Sequence, residues 1–427
     1  MKITNTRRNS LLTLGCILLL TIICLFPTMH NGWVNWDDPA YVLENPLVHV
    51  LSSESILTIF KTPVVVGLYH PFTLTSLAID YHFWQSDPFG FHLTNLILHT
   101  FNVLLVYVLF RKLNTSILVA GVVALLFGMH PMHVESVAWI SARKDVLYTF
   151  FFLLSLLYYL KSTSENSMRR AIWLILSLLA FCCSLLAKNI AFTLPFVLLL
   201  IDYLNSRKFT LQSTLNKVPF FILAIIAMIT AQSGQVESDS MGTLSSIQFS
   251  ESIFYGMYNT VFYVYKAILP IQLSAFHPFP PEGGSMMIFY LSALPFLALL
   301  YFVYWSYKHS TKNFFGLVFF LITIAPLLQT IPFGKALSSE RYSYLPYIGL
   351  FYLIALLIEK LFQSNKGWIR YTSLALSIIW IAIIGAQTRY QSTIWENSEL
   401  LWTQVIDLYP NSQWAYMSRG LYYAERE

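Results

Sequence analysis

Residues 11–38 read LLTLGCILLLTIICLFPTMHNGWVNWDD, and the way this stretch changes character decides the fold. An apolar run of near-membrane length stands behind Arg7 and Arg8, then gives way to a polar segment ending on two adjacent carboxylates, Asp37 and Asp38. No small-residue cleavage site follows the run, so it reads as an uncleaved first span rather than a secretory signal. Comparable runs recur near 92–110, 116–130, 145–160, 171–187, 190–204, 218–231, 286–305, 314–331, 347–362 and 371–388, which makes eleven in all. Several fall short of the roughly 20 residues that a straight span needs, so polar neighbours must lie at membrane depth.

The composition agrees. Of 427 residues, 56% are hydrophobic and 11% charged, against roughly 45–50% and about 25% in a soluble domain. That excludes a soluble globular enzyme and a disordered chain; the expected class is an all-α polytopic membrane protein. The net charge of +5 fits cytoplasmic anchoring rather than nucleic-acid binding. Cys16, Cys24, Cys182 and Cys183 lie inside apolar runs, and no disulfide is expected.

Basic residues set the orientation. With eleven spans and a cytoplasmic N-terminus, 16 of the 26 Lys and Arg residues are cytoplasmic: Lys2, Arg7, Arg8, Arg111, Lys112, Lys161, Arg169, Arg170, Arg207, Lys208, Lys217, Lys308, Lys312, Lys360, Lys366 and Arg370. A twelfth candidate, 253–270, contains Lys266 and many tyrosines and reads as interfacial. Counting it as a span would move Lys308, Lys312, Lys360, Lys366 and Arg370 outward, so eleven is favoured and the C-terminus is extracytoplasmic. The arginines of the first ten residues favour a bacterial inner membrane over an endoplasmic reticulum.

This topology leaves residues 28–91, 232–285 and 332–346 outside, and loops of such length are usually functional. The tail, 391–427, carries Trp402, Pro410, Asn411, Ala415 and Gly420 at spacings like part of a helical repeat pair. One pair cannot bury its own face, so the tail is expected to dock on the domain formed by 1–390 or to begin a longer array.

The outer segments hold the candidate chemistry. Asp37 and Asp38 either repel, raising one pKa, or share a cation, a metal or a substrate hydroxyl; the plainer alternative is an Asx-type turn before Pro39. His130, His133 and Glu135 stand near Arg143, Lys144 and Asp145, and ionisable groups at membrane depth usually mark a substrate path. The histidine spacing allows a metal; the basic pair can be structural, or can face an anionic leaving group. Lys188 either snorkels or contacts phosphate. Glu340 and Arg341 pose the same choice, an arginine gripping phosphate bidentately or being held by a neighbouring acid. His70 precedes Pro71 and has no feature that separates catalysis from capping. Nucleotide-binding loops and Gly-x-Ser-x-Gly elbows are absent from the sequence. Outer acids, bases near the outer leaflet and a wide apolar body suit transfer from a lipid-linked phosphate donor.

Taken in order, Asn35-Trp36-Asp37-Asp38-Pro39-Ala40-Tyr41 with Asn45-Pro46, Tyr69-His70-Pro71, His130-Pro131-Met132-His133-Val134-Glu135-Ser136-Val137-Ala138 through Arg143-Lys144-Asp145, and Glu340-Arg341-Tyr342-Ser343-Tyr344-Leu345-Pro346 resemble the transmembrane and tetratricopeptide-repeat containing proteins, which are similar to protein O-mannosyltransferases of the GT-C class. The resemblance implies a GT-C fold and a glycosyltransferase moving a sugar, mannose by analogy, from a polyprenyl-phosphate donor to an extracytoplasmic Ser or Thr hydroxyl or another hydroxyl acceptor, with inversion. It implies Asp37 or Asp38 as general base. Glu135 would orient acceptor or sugar. Arg143, Lys144, Lys188 and Arg341 become candidate cations opposite the base, and His70, His130, His133 and Glu340 complete the candidate binding residues. A divalent cation beside the two aspartates stays open. Relatives carry many repeats, of which one partial unit is present in 391–427. A solute or lipid transporter and a catalytically silent scaffold are the competing classes; transporters usually show inverted repeats and broken spans, and the sequence has no internal repeat.

Overall fold

Pro71 and Pro88 each open a helix at the position where a missing backbone N–H costs nothing, and the two helices they start, α4 (Pro71–Trp84) and α5 (Pro88–Lys112), follow the first long polar segment. In the computed structural model, which describes residues 2–63, 65, 68–207, 210–237, 248–280 and 284–426 and the side chains among them except those of 2–6 and 231–237, almost every other element is helical too. The first outer segment begins after α1 (Lys2–Leu25) and contains a 3-10 turn (Phe26–His30), a π-helical turn (Pro39–Leu43) directly after Asp37 and Asp38, and two short α-helices, α2 (Pro46–His49) and α3 (Ser53–Lys61), ahead of α4. The body continues with α6 (Ile117–Met129), α7 (Val134–Ala138), α8 (Arg143–Ser162), α9 (Ser167–Ala187), α10 (Leu194–Leu204), α11 (Leu211–Leu215), α12 (Val218–Glu237), α13 (Phe249–Lys266), α14 (Met287–Leu291), α15 (Ala293–His309), α16 (Thr311–Ile324), α17 (Tyr347–Phe362) and α18 (Gly367–Ile394). The tail folds as a helix pair, α19 (Ser398–Leu408) and α20 (Gln413–Ala424).

Each of the eleven apolar runs lies mainly on one helix or on two in succession, the run 314–331 leaving helical structure after Leu327. Among the described residues six helices are long and apolar enough to cross a membrane, or seven if the pair Ile117–Met129 and Pro131–Ala138, bent by 55°, counts as one span. Shorter apolar helices occupy Asn189–Leu204 and Thr311–Leu327. The twelfth candidate is α13, which is not among the six. Its inward face presents Asn259, Tyr263 and Lys266. The outer segment 232–285 and Lys208 fall partly or wholly outside the described residues.

The packing is that of a membrane bundle, with α5 against α6 and α8, α8 against α9, and α6 against α17. Lipid-facing side chains such as Leu294, Leu297 and Leu376 stay exposed. Where α16 meets α17 the backbones touch: a Cβ on Gly316 would stand 2.8 Å from the carbonyl of Gly349, the small-residue approach that membrane helices use in place of a hydrophobic driving force. Among the described residues the one sheet is a two-stranded antiparallel pairing of β1 (His277–Pro278) with β2 (Ala336–Ser338). It fastens the end of the second outer segment to the start of the third and so sets His277 beside Glu340.

One end of the bundle gathers the outer segments. The Asn31 amide donates to the Ser392 carbonyl at 3.0 Å, and the Gly32 N–H to that of Glu396 at 2.8 Å. The first outer segment, the end of α18 and the tail therefore share a side. At the other end of α8, Asp202 takes Lys217 at 2.5 Å and Arg207 at 3.4 Å, two of the cations assigned to the cytoplasm by sequence.

Candidate functional site

Residues 143–145 are the first three positions of α8, and at 3.6 residues per turn consecutive side chains diverge by about 100°. Each takes a different partner. Arg143 turns into the bundle, donating to Asp80 at 2.6 Å, Ser76 at 2.7 Å, the Phe91 carbonyl at 2.9 Å, and Asn95. Lys144 points to the first outer segment, 3.4 Å from Asp37 and 3.3 Å from the Tyr41 hydroxyl. Asp145 receives Lys188 at 2.5 Å from the turn between α9 and α10.

The aspartates separate in the same way. Asp38 is buried, one carboxylate oxygen accepting from the Ser141 N–H at 3.0 Å and hydroxyl at 2.5 Å and the other from the Val34 N–H at 3.1 Å. Burial raises its pKa to about 6 against the pull of those donors. It ties the loop to the start of α8. Asp37 is half-buried, its side chain 35% exposed, and it pairs with Lys144. Of the two, Asp37 has the accessible carboxylate.

Beyond Lys144 the wall is aromatic and cationic. Arg341, in the 3-10 turn Glu340–Ser343, pairs with the buried Glu135 of α7, its backbone N–H donating to the second carboxylate oxygen at 2.9 Å. The guanidinium lies 5.0 Å from the Trp139 ring and 5.1 Å from that of Tyr342. Lys144 sits 5.5 Å from Trp139, and Lys188 is 5.9 Å from Tyr342. Trp139 and Tyr342 are thus a shelf against which three cations, Lys144, Lys188 and Arg341, are brought together with Asp37, Asp145 and Glu135. His70 reaches this cluster through its hydrogen bond to Tyr41 at 3.1 Å. Three cations held by fixed partners around one accessible carboxylate can bind a doubly charged phosphate and deprotonate a hydroxyl beside it.

Other candidates lie elsewhere. His130 and His133 sit at the break between α6 and α7 among Tyr344, Tyr347 and Phe351, buried, with His133 bonded to the Phe127 carbonyl at 2.9 Å. Glu340 turns from Arg341 to accept the Ser274 N–H at 2.6 Å, 3.8 Å from His277. Burial holds its carboxyl above the usual carboxylate range and pushes the His277 imidazole down to about 3. Among the described residues no three His, Cys, Asp or Glu side chains converge as metal ligands, and both oxygens of Asp38 are occupied. A divalent cation held by protein ligands alone does not fit this donor set.

Sequence reading missed Tyr41 and Trp139 as walls of the cluster, and Asp80 and Asn95 as the partners of Arg143. Tyr41 was within reach, being part of the quoted motif. Asn95 gave no signal, since a lone amide in an apolar helix looks the same whether or not it has a cation to hold.

Comparison with known proteins gives a consistent picture. The sequence family described as dolichyl-phosphate-mannose-protein mannosyltransferase matches residues 47–231. A protein O-mannosyl-transferase of Caenorhabditis elegans is 23% identical over 95% of this chain and 58% of its own length. The human protein O-mannosyl-transferase TMTC4 is 33% identical over 35% of this chain and 23% of its own length, and the Drosophila melanogaster protein O-mannosyl-transferase Tmtc3 is 29% identical over 40% and 22%. The chain therefore spans little over half of the worm relative and less than a quarter of the other two. Among solved structures, the archaeal oligosaccharyltransferase AglB from Archaeoglobus fulgidus, in complex with an inhibitory peptide and a dolichol-phosphate, superposes with a TM-score of 0.53 at 13% identity, covering 90% of this chain and 56% of that one; its apo form gives 0.51 at 12% identity, with 90% and 56% covered. The fold is of the GT-C type.

Proposed function

We propose that this chain, an integral membrane protein similar to the transmembrane and tetratricopeptide-repeat containing O-mannosyl-transferases, transfers a sugar, mannose in this reading, from a polyprenyl-phosphate donor to an extracytoplasmic Ser or Thr hydroxyl. The observation that carries the proposal is the accessible carboxylate of Asp37 in contact with Lys144 at 3.4 Å, beside an aromatic shelf that also carries Arg341 and Lys188, on the fold of a protein solved with dolichol-phosphate. The acceptor hydroxyl gives its proton to Asp37, its oxygen bonds to the anomeric carbon, and the bond from that carbon to the lipid phosphate breaks. The departing phosphate keeps the electron pair and is neutralised by the cations. Attack opposite the leaving group inverts the anomeric centre.

In this reading residues 1–390 are the catalytic domain and 391–427 a partial repeat tail on the extracytoplasmic side, with the N-terminus cytoplasmic. The eleven-span topology is part of the proposal and is supported by the common side of the first outer segment and the tail. The relatives named above are animal proteins and lend the bacterial membrane no support; the endoplasmic reticulum is the compartment they favour.

The test is transfer of radiolabelled sugar from polyprenyl-phosphate mannose to peptide or membrane acceptors by the purified full chain. Product formation with inversion is expected. Absence of transfer from any polyprenyl-phosphate sugar by folded protein would overturn the reading in favour of a transporter or a scaffold. Chelator is expected to leave the rate unchanged, because the donor set does not complete a metal site; a rate abolished by chelator and restored by a divalent ion would reverse that expectation. Arg341→Lys keeps charge against Glu135 but loses the planar fork. A hydrogen bond to a charged group is worth about 1.5–3 kcal/mol, so the KM for the lipid donor is expected to rise about ten-fold or more, and an unchanged donor KM would remove Arg341 from the phosphate site.

A further inference from the structure

Asn35 stands two residues before Asp37, and its three hydrogen-bonding partners belong to the tail, more than 360 residues away in sequence. Its backbone N–H donates to the Ser398 hydroxyl at 2.9 Å, its side-chain N–H to the Ser418 carbonyl at 2.8 Å, and its side-chain oxygen accepts from the Trp402 indole at 2.8 Å. Ser398 and Trp402 lie on α19, Ser418 on α20. One asparagine thus bridges both helices of the pair. The next residue, Trp36, is stacked 4.7 Å from Trp139 and leans on Trp402 at 5.3 Å, with the Arg341 guanidinium 5.7 Å from its ring. A second attachment links the Tyr409 hydroxyl, at the end of α19, to His277 at 2.6 Å.

We infer that Asn35 and Trp402 are positioning residues, and that the first helix pair of the tail holds the Asp37 loop against the cation cluster. This rests on the reading of Asp37 as the general base. The physical case is that Asp37 stands in the turn that opens the short helix Pro39–Leu43, its carbonyl accepting the Tyr41 N–H at 2.9 Å, while its side chain meets Lys144 at 3.4 Å, a contact too long to hold the carboxylate in place. Asp38 anchors the far side of the loop to Ser141. The clamp on Asn35 anchors the near side, so Asp37 is suspended between two fixed points. Misplacement of a reacting group by about 1 Å can cost on the order of a hundred-fold in rate, which gives such a clamp kinetic weight without any contact to substrate.

The experiment uses the full chain with two mild variants, Trp402→Phe, which deletes the indole donor and keeps a ring, and Ser398→Ala, which deletes the acceptor for the Asn35 N–H. Two readouts are taken. Amide hydrogen exchange at residues 33–38 is expected to quicken in Ser398→Ala, and kcat is expected to fall about ten-fold in either variant with the donor KM within two-fold of wild type. Tyr423→Phe, which breaks an exposed bond to Glu399 within the same helix pair, is expected to leave kcat and exchange unchanged. If wild type transfers sugar and Asp37→Asn does not, while both clamp variants retain wild-type kcat and exchange, the inference is overturned and the proposed function stands. Equal loss of kcat and folded protein in both variants would also overturn it, since that is the mark of a merely structural contact. Failure of wild type to transfer at all overturns the functional reading and this inference with it.

Discussion

Asp37→Asn is expected to lower transfer by about a hundred- to ten-thousand-fold, with the folded yield and the donor KM close to wild type. The amide keeps the shape of the carboxylate, its oxygen still accepts from Lys144, and with the Asp37 side chain 35% exposed water takes up much of the lost charge. What the substitution removes is the proton acceptor. Asp38→Asn should behave differently: both oxygens of Asp38 already accept from Ser141 and Val34, and an amide nitrogen would face an N–H at one of those positions, so loss of folded protein should accompany any loss of rate. The check is a kcat and KM measurement on both variants beside a thermal stability curve in detergent. A wild-type turnover from Asp37→Asn would remove it as the base. A rate collapse confined to Asp38→Asn at full stability would move the role to Asp38.

That contrast marks where the sequence stops being informative. Two adjacent carboxylates before a proline carry no label saying which faces the cavity. The choice is made by Ser141 and Val34, of which the first is 103 residues away. The eleven apolar runs, by contrast, became helices because a bilayer leaves no other way to satisfy the backbone, a rule that acts locally and can be read locally. α4 escaped because Thr73, Thr75, Ser76, Asp80 and His82 break its apolar run. Those polar residues are there for tertiary reasons: Ser76 and Asp80 hold Arg143, and Thr73 donates to the Ala187 carbonyl at 2.9 Å. His130 and His133 look like ligands three apart, but the chain bends between α6 and α7 and turns both rings into aromatic packing. Of the basic pair at the start of α8, helical geometry sends one member to the cluster and the other away from it, so the two cannot share a role although they are neighbours in sequence.

Asp80→Leu is expected to cost about 3–5 kcal/mol of stability, the penalty for stripping one partner from a buried ion pair. The Arg143 side chain is wholly buried and that of Asp80 is 9% exposed, so no water replaces the lost carboxylate. Ser76, Asn95 and the Phe91 carbonyl still accept from the guanidinium, but none of them carries a charge. The same cation explains why two outcomes are worth separating. If Arg143 is a structural post, Asp80→Leu lowers the unfolding temperature and the yield, while whatever folded protein survives retains near-wild-type kcat and donor KM per molecule. A second substitution, Arg143→Met in the Asp80→Leu background, then recovers part of the stability, because a buried ion pair replaced by apolar side chains is often neutral or better. If instead the single variant is as stable as wild type and its donor KM rises, the guanidinium is free to swing to the lipid phosphate, and Arg143 joins Lys144, Lys188 and Arg341 in the binding site. The geometry favours the first outcome: four hydrogen-bond acceptors from α4 and α5 converge on Arg143, and those bonds fix the first turn of α8, from which Lys144 and Asp145 are aimed at Asp37 and Lys188.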